Sequence, residues 1–181
     1  MSTRLVLLCA AATQSRREPG FPGPADPLDA GGIAKARMLR LEGPAPERVM
    51  LAPDRAGRET AALLGLSGGE AKALAERDHG AWSGCGFDAI DPAALTAWLA
   101  APEAAPPGGE SMAAVAARVA PWLAALDGRV LAITHAAVIR AAIGVALDVP
   151  VAATLAIDVA PLTSVILSRH GRWRLRALEP R

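Results

Sequence analysis

The chain has 181 residues, a net charge of +1 and 52% hydrophobic residues, much of that supplied by alanine. One domain over residues 1–181 with a sizeable core is expected, and no apolar run approaches the roughly 20 residues of a membrane-spanning helix. The near-neutral charge gives no electrostatic reason to expect nucleic acid or an acidic membrane as a partner.

Cys9 and Cys85 stand far apart in no CxxC pattern, so neither a disulfide framework nor a metal site is suggested, and no cofactor is expected. Reduced thiols in a cytoplasmic protein are the plain expectation. The run Leu5–Leu8 suits a central parallel strand buried on both faces. Arg4 and the run to Ala12 also resemble a secretory leader in outline, with Cys9 placed like a lipoprotein cleavage cysteine. That run is at the short limit of the roughly 7–15 residues a leader needs, and Leu8 is bulky where cleavage requires a small side chain. A core strand is therefore expected.

Residues 19–27 are rich in Gly and Pro and read as loop, with Phe21 as an anchor. Asp29 is placed to cap a helix over residues 32–41, with Ile33, Ala36, Met38 and Leu39 on its buried side. A second strand covers 48–52, Pro53 ends it, and a helix follows over 57–64. Residues 71–75 are too short and Ala-rich to assign. Residues 79–91 read as irregular, with Trp82 and Phe87 beneath them, and Pro92 opens a helix ending near Leu99. A loop over 102–109 leads to a long amphipathic helix over 110–126, with Val115, Val119, Trp122 and Leu123 inward. Residues 129–134 form the third strong strand. His135 opens a helix reaching Leu147, Pro150 breaks it, and residues 154–159, 163–168 and 173–178 read as closing strands.

Strands alternating with helices predict an α/β fold with a largely parallel sheet and right-handed crossovers. Ligands in such sheets sit beyond the carboxyl ends of the strands, here the turns that start at Cys9, Pro53 and His135. Helix N-termini in those turns make a natural phosphate site. Phosphoryl transfer through a covalent intermediate needs a nucleophile, cations around the phosphate and an acid for the leaving group. Thr13, Arg16, Arg55, Arg58, Glu76 and His135 lie in or near those turns, whereas the first turn holds no nucleophilic His.

Five blocks in order carry a resemblance over about residues 4–176. They are Pro27-Leu28-Asp29 with Gly32, Ala52-Pro53 with Arg58-Glu59-Thr60-Ala61, Glu76 to Gly84, Pro107 to Ser111, and Thr134-His135-Ala136-Ala137-Val138-Ile139-Arg140. The strand ending Cys9-Ala10 with Thr13 beyond it adds a further match. Together they resemble the histidine phosphatases, the phosphoglycerate-mutase-like superfamily. The resemblance implies a three-layer sandwich, a mostly parallel central sheet with helices on both faces. It also implies a phosphate pocket of two His and two Arg with a Glu as proton donor.

Carried over residue by residue, the resemblance puts the proton donor on Glu76 and the second His on His135, the two candidate catalytic residues. The first Arg falls on Cys9, the nucleophilic His on Ala10 and the second Arg on Ala56, while Arg16 stands where a polar Asn is usual. The candidate binding residues are Cys9, Ala10, Thr13, Arg16, Arg55, Ala56, Arg58 and Ala136, with no metal ligand among them. Removing a nucleophile costs on the order of a million-fold in a hydrolase where it was measured, and losing Arg contacts to a dianion costs more. The expected function is therefore a catalytically inactive pseudophosphatase that binds a small-molecule metabolite or a protein partner. The alternative is a residual or repurposed enzyme, using a substitute nucleophile or acid/base chemistry on His135 and Glu76. A third reading is a regulatory subunit, and a homodimer is compatible with each. His79 is expected to pack where the family carries an aromatic, and His170 to lie in an exposed hairpin turn.

Overall fold

A computed structural model describes residues 2–14 and 19–180. Strands β1 (Thr3–Cys9), β2 (Arg48–Leu51), β3 (Gly69–Glu70), β4 (Gly128–Thr134), β5 (Ser164–His170) and β6 (Arg172–Glu179) form one sheet in the order β3-β2-β4-β1-β5-β6. The pairs β1–β4, β2–β4 and β2–β3 are parallel, and β5 and β6 add an antiparallel edge beside β1.

The two-residue period of a strand divides β1 between two cores. Leu5, Leu7 and Cys9 pack with Val130, Ala132, Val165 and Leu167 beneath helices α4 (Met112–Ala124) and α5 (Ala136–Leu147). Leu8 points the other way, into a cluster with Leu51, Leu131 and Ile133 that Ala61 of helix α2 (Arg55–Leu63) completes. Helix α1 (Ala30–Met38) packs on that second side through Ala36, against the turn after β1. Helices thus cover both faces of the sheet. Leu5, Leu7 and Leu8 are fully buried, which stabilises the fold by roughly 1.5–3 kcal/mol for each such side chain.

Side-chain caps fix where several helices begin. Asp29 accepts from Gly32 N at 2.5 Å, Asp54 from Gly57 N at 3.0 Å and Ser111 from Ala114 N at 3.0 Å. Asp91 does the same for α3 (Pro92–Ala100), accepting from Ala94 N at 2.8 Å. Each such cap contributes about 1 kcal/mol. Gly32 is required for a second reason. A Cβ there would sit 2.5 Å from Ala12 O, so only glycine lets α1 start against the first turn.

The structure corrects several sequence expectations. Residues 154–159 are not a strand: α6 (Val151–Thr154) and turns occupy this stretch, with Thr154 Oγ1 donating to Val151 O at 2.6 Å. Its apolar and β-branched residues pack on α5 rather than in the sheet, and Val151 and Thr154 close over Gly144. Met38 is exposed rather than buried, at 72%. It lies two residues from the buried Ala36, about 200° round the helix. Helix α2 starts two residues earlier than expected because Asp54 supplies the cap. Trp122 is half-buried, and the unassigned residues 71–75 hold a single 3₁₀ turn at Lys72–Leu74, just after the short strand β3. No helix of the described residues is long and apolar enough to cross a membrane.

Candidate functional site

The carboxyl ends of β1, β2 and β4 converge on a cavity of about 30 Å³. Its floor is the turn after β1, which backbone bonds hold in place. Cys9 N donates to Thr163 O at 2.9 Å and Ala10 N to Thr134 O at 2.7 Å. Ala11 N donates to Thr60 Oγ1 at 3.0 Å, and that hydroxyl donates in turn to Ala56 O at 2.7 Å. Thr60 is fully buried and ties α2 to the floor. Cys9, Ala10, Thr13, Ala56 and Ala136 all line the cavity, with Asp54, Glu76 and His135 as its ionisable groups.

His135 lies at the end of β4, immediately before α5, and both ring nitrogens face carboxylates. Nε2 is 2.7 Å from Asp54 Oδ2, and Nδ1 is 3.2 Å from Glu76 Oε2. Burial by itself would lower the pKa of His135, but the flanking Glu76 and Asp54 outweigh it and push the ring up to about 10. Glu76 answers in the opposite sense. Burial would raise its carboxyl, yet the His135 imidazolium and the Arg77 backbone N–H bring it down to about 2. Asp54 is likewise lowered, its burial outweighed by His135 and by the backbone N–H groups of Gly57 and Glu76. At neutral pH the ring therefore carries both protons and donates one to each carboxylate. Two carboxylates and one imidazolium leave the cluster with one net negative charge.

The segment carrying Glu76 has no long element of its own and is held by neighbours. Thr134 Oγ1 donates to Leu74 O at 2.7 Å. Arg118 donates from α4 to Ala73 O at 2.7 Å and Ala75 O at 3.0 Å, while its guanidinium also pairs with Glu110 at 2.8 Å. Arg77 N closes back on Glu76 Oε1 at 2.9 Å. These bonds place a carboxylate beside His135 without a helix or strand beneath it.

The candidates read from sequence divide into two groups. His135, Glu76, Cys9, Ala10, Thr13, Ala56 and Ala136 come together around the small cavity. Arg55 and Arg58 do not line it; they stand on a larger cleft of about 530 Å³ that opens beside Asp54 and Glu76. Both are engaged there: Arg55 Nε pairs with Glu59 at 2.6 Å, and Arg58 donates to Pro53 O and reaches Glu70 at 3.4 Å. An arginine in the first turn of α2 meets the i+4 carboxylate on its own helix more readily than a pocket behind it. Arg16 lies outside the described residues. Sequence reasoning misses Asp54. The signal for it is an Asp three residues before Gly57 at a helix start, the spacing of an N-cap. That spacing does not reveal that the second carboxylate oxygen points at His135.

Among the described residues no group of His, Cys, Asp and Glu is arranged to hold a metal ion. His79 is buried against Phe21, ring centroids 5.0 Å apart, in the aromatic cluster the sequence suggested. His170 is exposed at the β5–β6 turn, where Gly171 adopts φ +77°.

The chain is similar along its whole length to several solved structures. With a mycobacterial glucosyl-3-phosphoglycerate phosphatase it shares 26% identity over 100% of both chains, with a TM-score of 0.83. That protein has also been solved in complex with inorganic phosphate. Mycobacterial hydrolase 1 gives 28% identity over 99% of each chain and a TM-score of 0.84. TTHB049 from Thermus thermophilus gives 29% identity over 98% of this chain and 99% of that one, with a TM-score of 0.78. No curated protein matches the chain. The sequence model of the histidine phosphatase superfamily (branch 1) matches residues 5–179, and the chain belongs to that family.

Proposed function

We propose that this chain is a pseudophosphatase, a histidine-phosphatase fold that binds a small molecule or partner at the His135 pocket without transferring phosphate. The carrying observation is the closure of His135 Nε2 by Asp54 at 2.7 Å, beside Ala10 and Ala56. Attack on phosphorus needs a nitrogen lone pair, and a ring held as imidazolium by two carboxylates has none to offer. Ala10, at the position where the resemblance places the nucleophile, contributes only a methyl group. The cluster's net negative charge opposes a phosphomonoester dianion, and Arg55 and Arg58 stand outside the small cavity, each already bonded. The mycobacterial relative solved with inorganic phosphate is the natural positive control.

The test is calorimetric titration and thermal shift with inorganic phosphate and phosphoglycerates, together with turnover of a generic aryl phosphate. Neither binding above background nor turnover is expected. Turnover abolished by His135→Ala or Cys9→Ser would falsify the proposal and establish a residual phosphatase. A repurposed acid/base enzyme is the second reading. It is favoured by Glu76 lying 3.2 Å from His135 Nδ1, a carboxylate–imidazole pair of the kind that moves protons. It requires a substrate that displaces Asp54 from Nε2.

A further inference from the structure

The carboxyl ends of β1 and β4 make the His135 pocket. A second cavity, of about 110 Å³, begins near the amino ends of the same two strands, at Arg4 and Arg129, beneath the loop 41–46. Five steps along β1 separate Arg4 from Cys9, about 17 Å of strand.

The two faces of the sheet are covered unequally here. On one face of β1 and β5, Leu5, Leu7, Val165 and Leu167 are fully buried. On the opposite face of the same strands Val6 and Ile166, paired in register, are only half-buried. β1 is an inner strand, and an inner strand with a parallel neighbour ordinarily has both faces covered. Ala61 of α2 completes the cluster around Leu8 and Ile133, whereas Val6 only borders that cluster and Ile166 lies outside it. Val6 and Ile166 therefore form the cavity floor, with Leu131 beside them.

The charges are unequal too. Arg4 and Arg129 are register partners on adjacent strands, so their side chains leave the same face of the sheet. Like charges so placed repel. Arg129 is compensated: its guanidinium pairs with Glu47 at 3.0 Å, and Nε donates to Ala45 O at 2.9 Å. Arg4 is half-buried, and its guanidinium makes no ion pair or hydrogen bond among the described residues. Gly43, at φ +100°, carries the loop past it; a Cβ there would stand 3.5 Å from the Arg4 guanidinium. The acids of the cavity lie elsewhere. Glu42 is exposed on the loop, and Glu179 accepts from Ser164 Oγ at 3.3 Å, level with Leu8. One uncompensated guanidinium calls for one negative charge, and its planar fork matches a carboxylate. From there to Ser164, about 13 Å along β1, the floor is aliphatic, and no aromatic ring lines the cavity.

We propose that this cavity binds a medium-chain aliphatic carboxylate. Its head group sits on the Arg4 guanidinium and its chain lies along Val6, Leu131 and Ile166 toward Ser164. The chain takes those half-exposed side chains out of water, as the helices do on the opposite face. No lining residue is shared with the His135 pocket, so the inference is independent of the pseudophosphatase reading.

The test is calorimetric titration of the full chain with octanoate, octanamide and octylammonium, joined to methyl NMR of a valine- and isoleucine-labelled sample. Octanoate is expected to bind roughly tenfold tighter than either control, or better, and to shift the Val6 and Ile166 methyl resonances. Arg4→Gln is expected to weaken octanoate roughly tenfold while leaving octanamide unchanged. Octanoate that binds no tighter than the controls, leaves both methyls unshifted, or binds Arg4→Gln as well as the parent overturns the proposal. If that variant does not fold, the ranking of the three ligands and the methyl shifts of the parent chain decide. Aryl phosphate turnover is scored separately. Its appearance counts against the pseudophosphatase reading and leaves this site standing.

Discussion

Asp54 bonds Gly57 N through one carboxylate oxygen, at 3.0 Å, and His135 Nε2 through the other, at 2.7 Å. One side chain thereby starts a helix and closes an imidazole. The two roles are separable, because the cap needs an oxygen while the closure also needs a charge.

Asp54→Asn separates them. Asparagine keeps an acceptor for Gly57 N but removes one of the two negative charges beside the ring. The His135 pKa is expected to fall from about 10 by about 1–3 units, as read by an NMR titration of the ring. A value that does not move shows that Asp54 is not what holds the ring charged.

The same cluster sets a pH window for stability. His135 is raised in the fold, so its contribution is fully present below the ordinary histidine value and is lost as pH rises through about 10. Glu76 is lowered, so its contribution is present above the ordinary carboxyl value and is lost as pH falls through about 2. Urea denaturation across pH should give highest stability between about 5 and 6, where both contributions are complete, with loss on either side. His135→Asn should flatten the alkaline limb; an unchanged limb assigns it to other groups.

Thr60 is a structural test of the pocket floor. Its hydroxyl is fully buried and serves both Ala11 N and Ala56 O. Thr60→Val preserves shape, strands Ala11 N and leaves Ala56 O only its helical backbone bond, and should cost about 1–3 kcal/mol in denaturant unfolding. A loss below about 0.5 kcal/mol means that water or a backbone shift satisfies them.

Met38 tests a correction. At 72% exposure on the last turn of α1 it contributes little to the core. Met38→Lys should change stability by no more than about 0.5 kcal/mol. A larger loss restores the buried assignment that its helical spacing suggested.

Much of the fold was legible because burial in a parallel sheet leaves a local trace. Leu5–Leu8 and Val130–Ile133 read as strands from continuous apolar runs, and Asp29 caps a helix as its position suggests, whereas the Ser111 cap comes from the structure alone. Residues 154–159 mislead because their β-branched side chains favour a strand locally, whereas packing against α5 holds this stretch as the end of α6 and the turns after it. Nearness in sequence puts Arg55 and Arg58 at the pocket, but side-chain direction takes them to Glu59, Glu70 and the Pro53 carbonyl.

The site was half legible for the same reason. By itself the sequence determined the strand ends that meet, the candidate His135 at one of them, Glu76 in the acidic block, and Ala10 and Ala56 beside them. These follow from motif order and from the rule that ligands gather at the carboxyl ends of parallel strands. Only the tertiary structure decided the electrostatics. Asp54 and His135 are 81 residues apart in sequence, and no local pattern states that a helix cap will aim its spare oxygen at an imidazole 2.7 Å away. That meeting depends on the crossing of α2 over the sheet. It turns a lone histidine into an imidazolium held between two carboxylates.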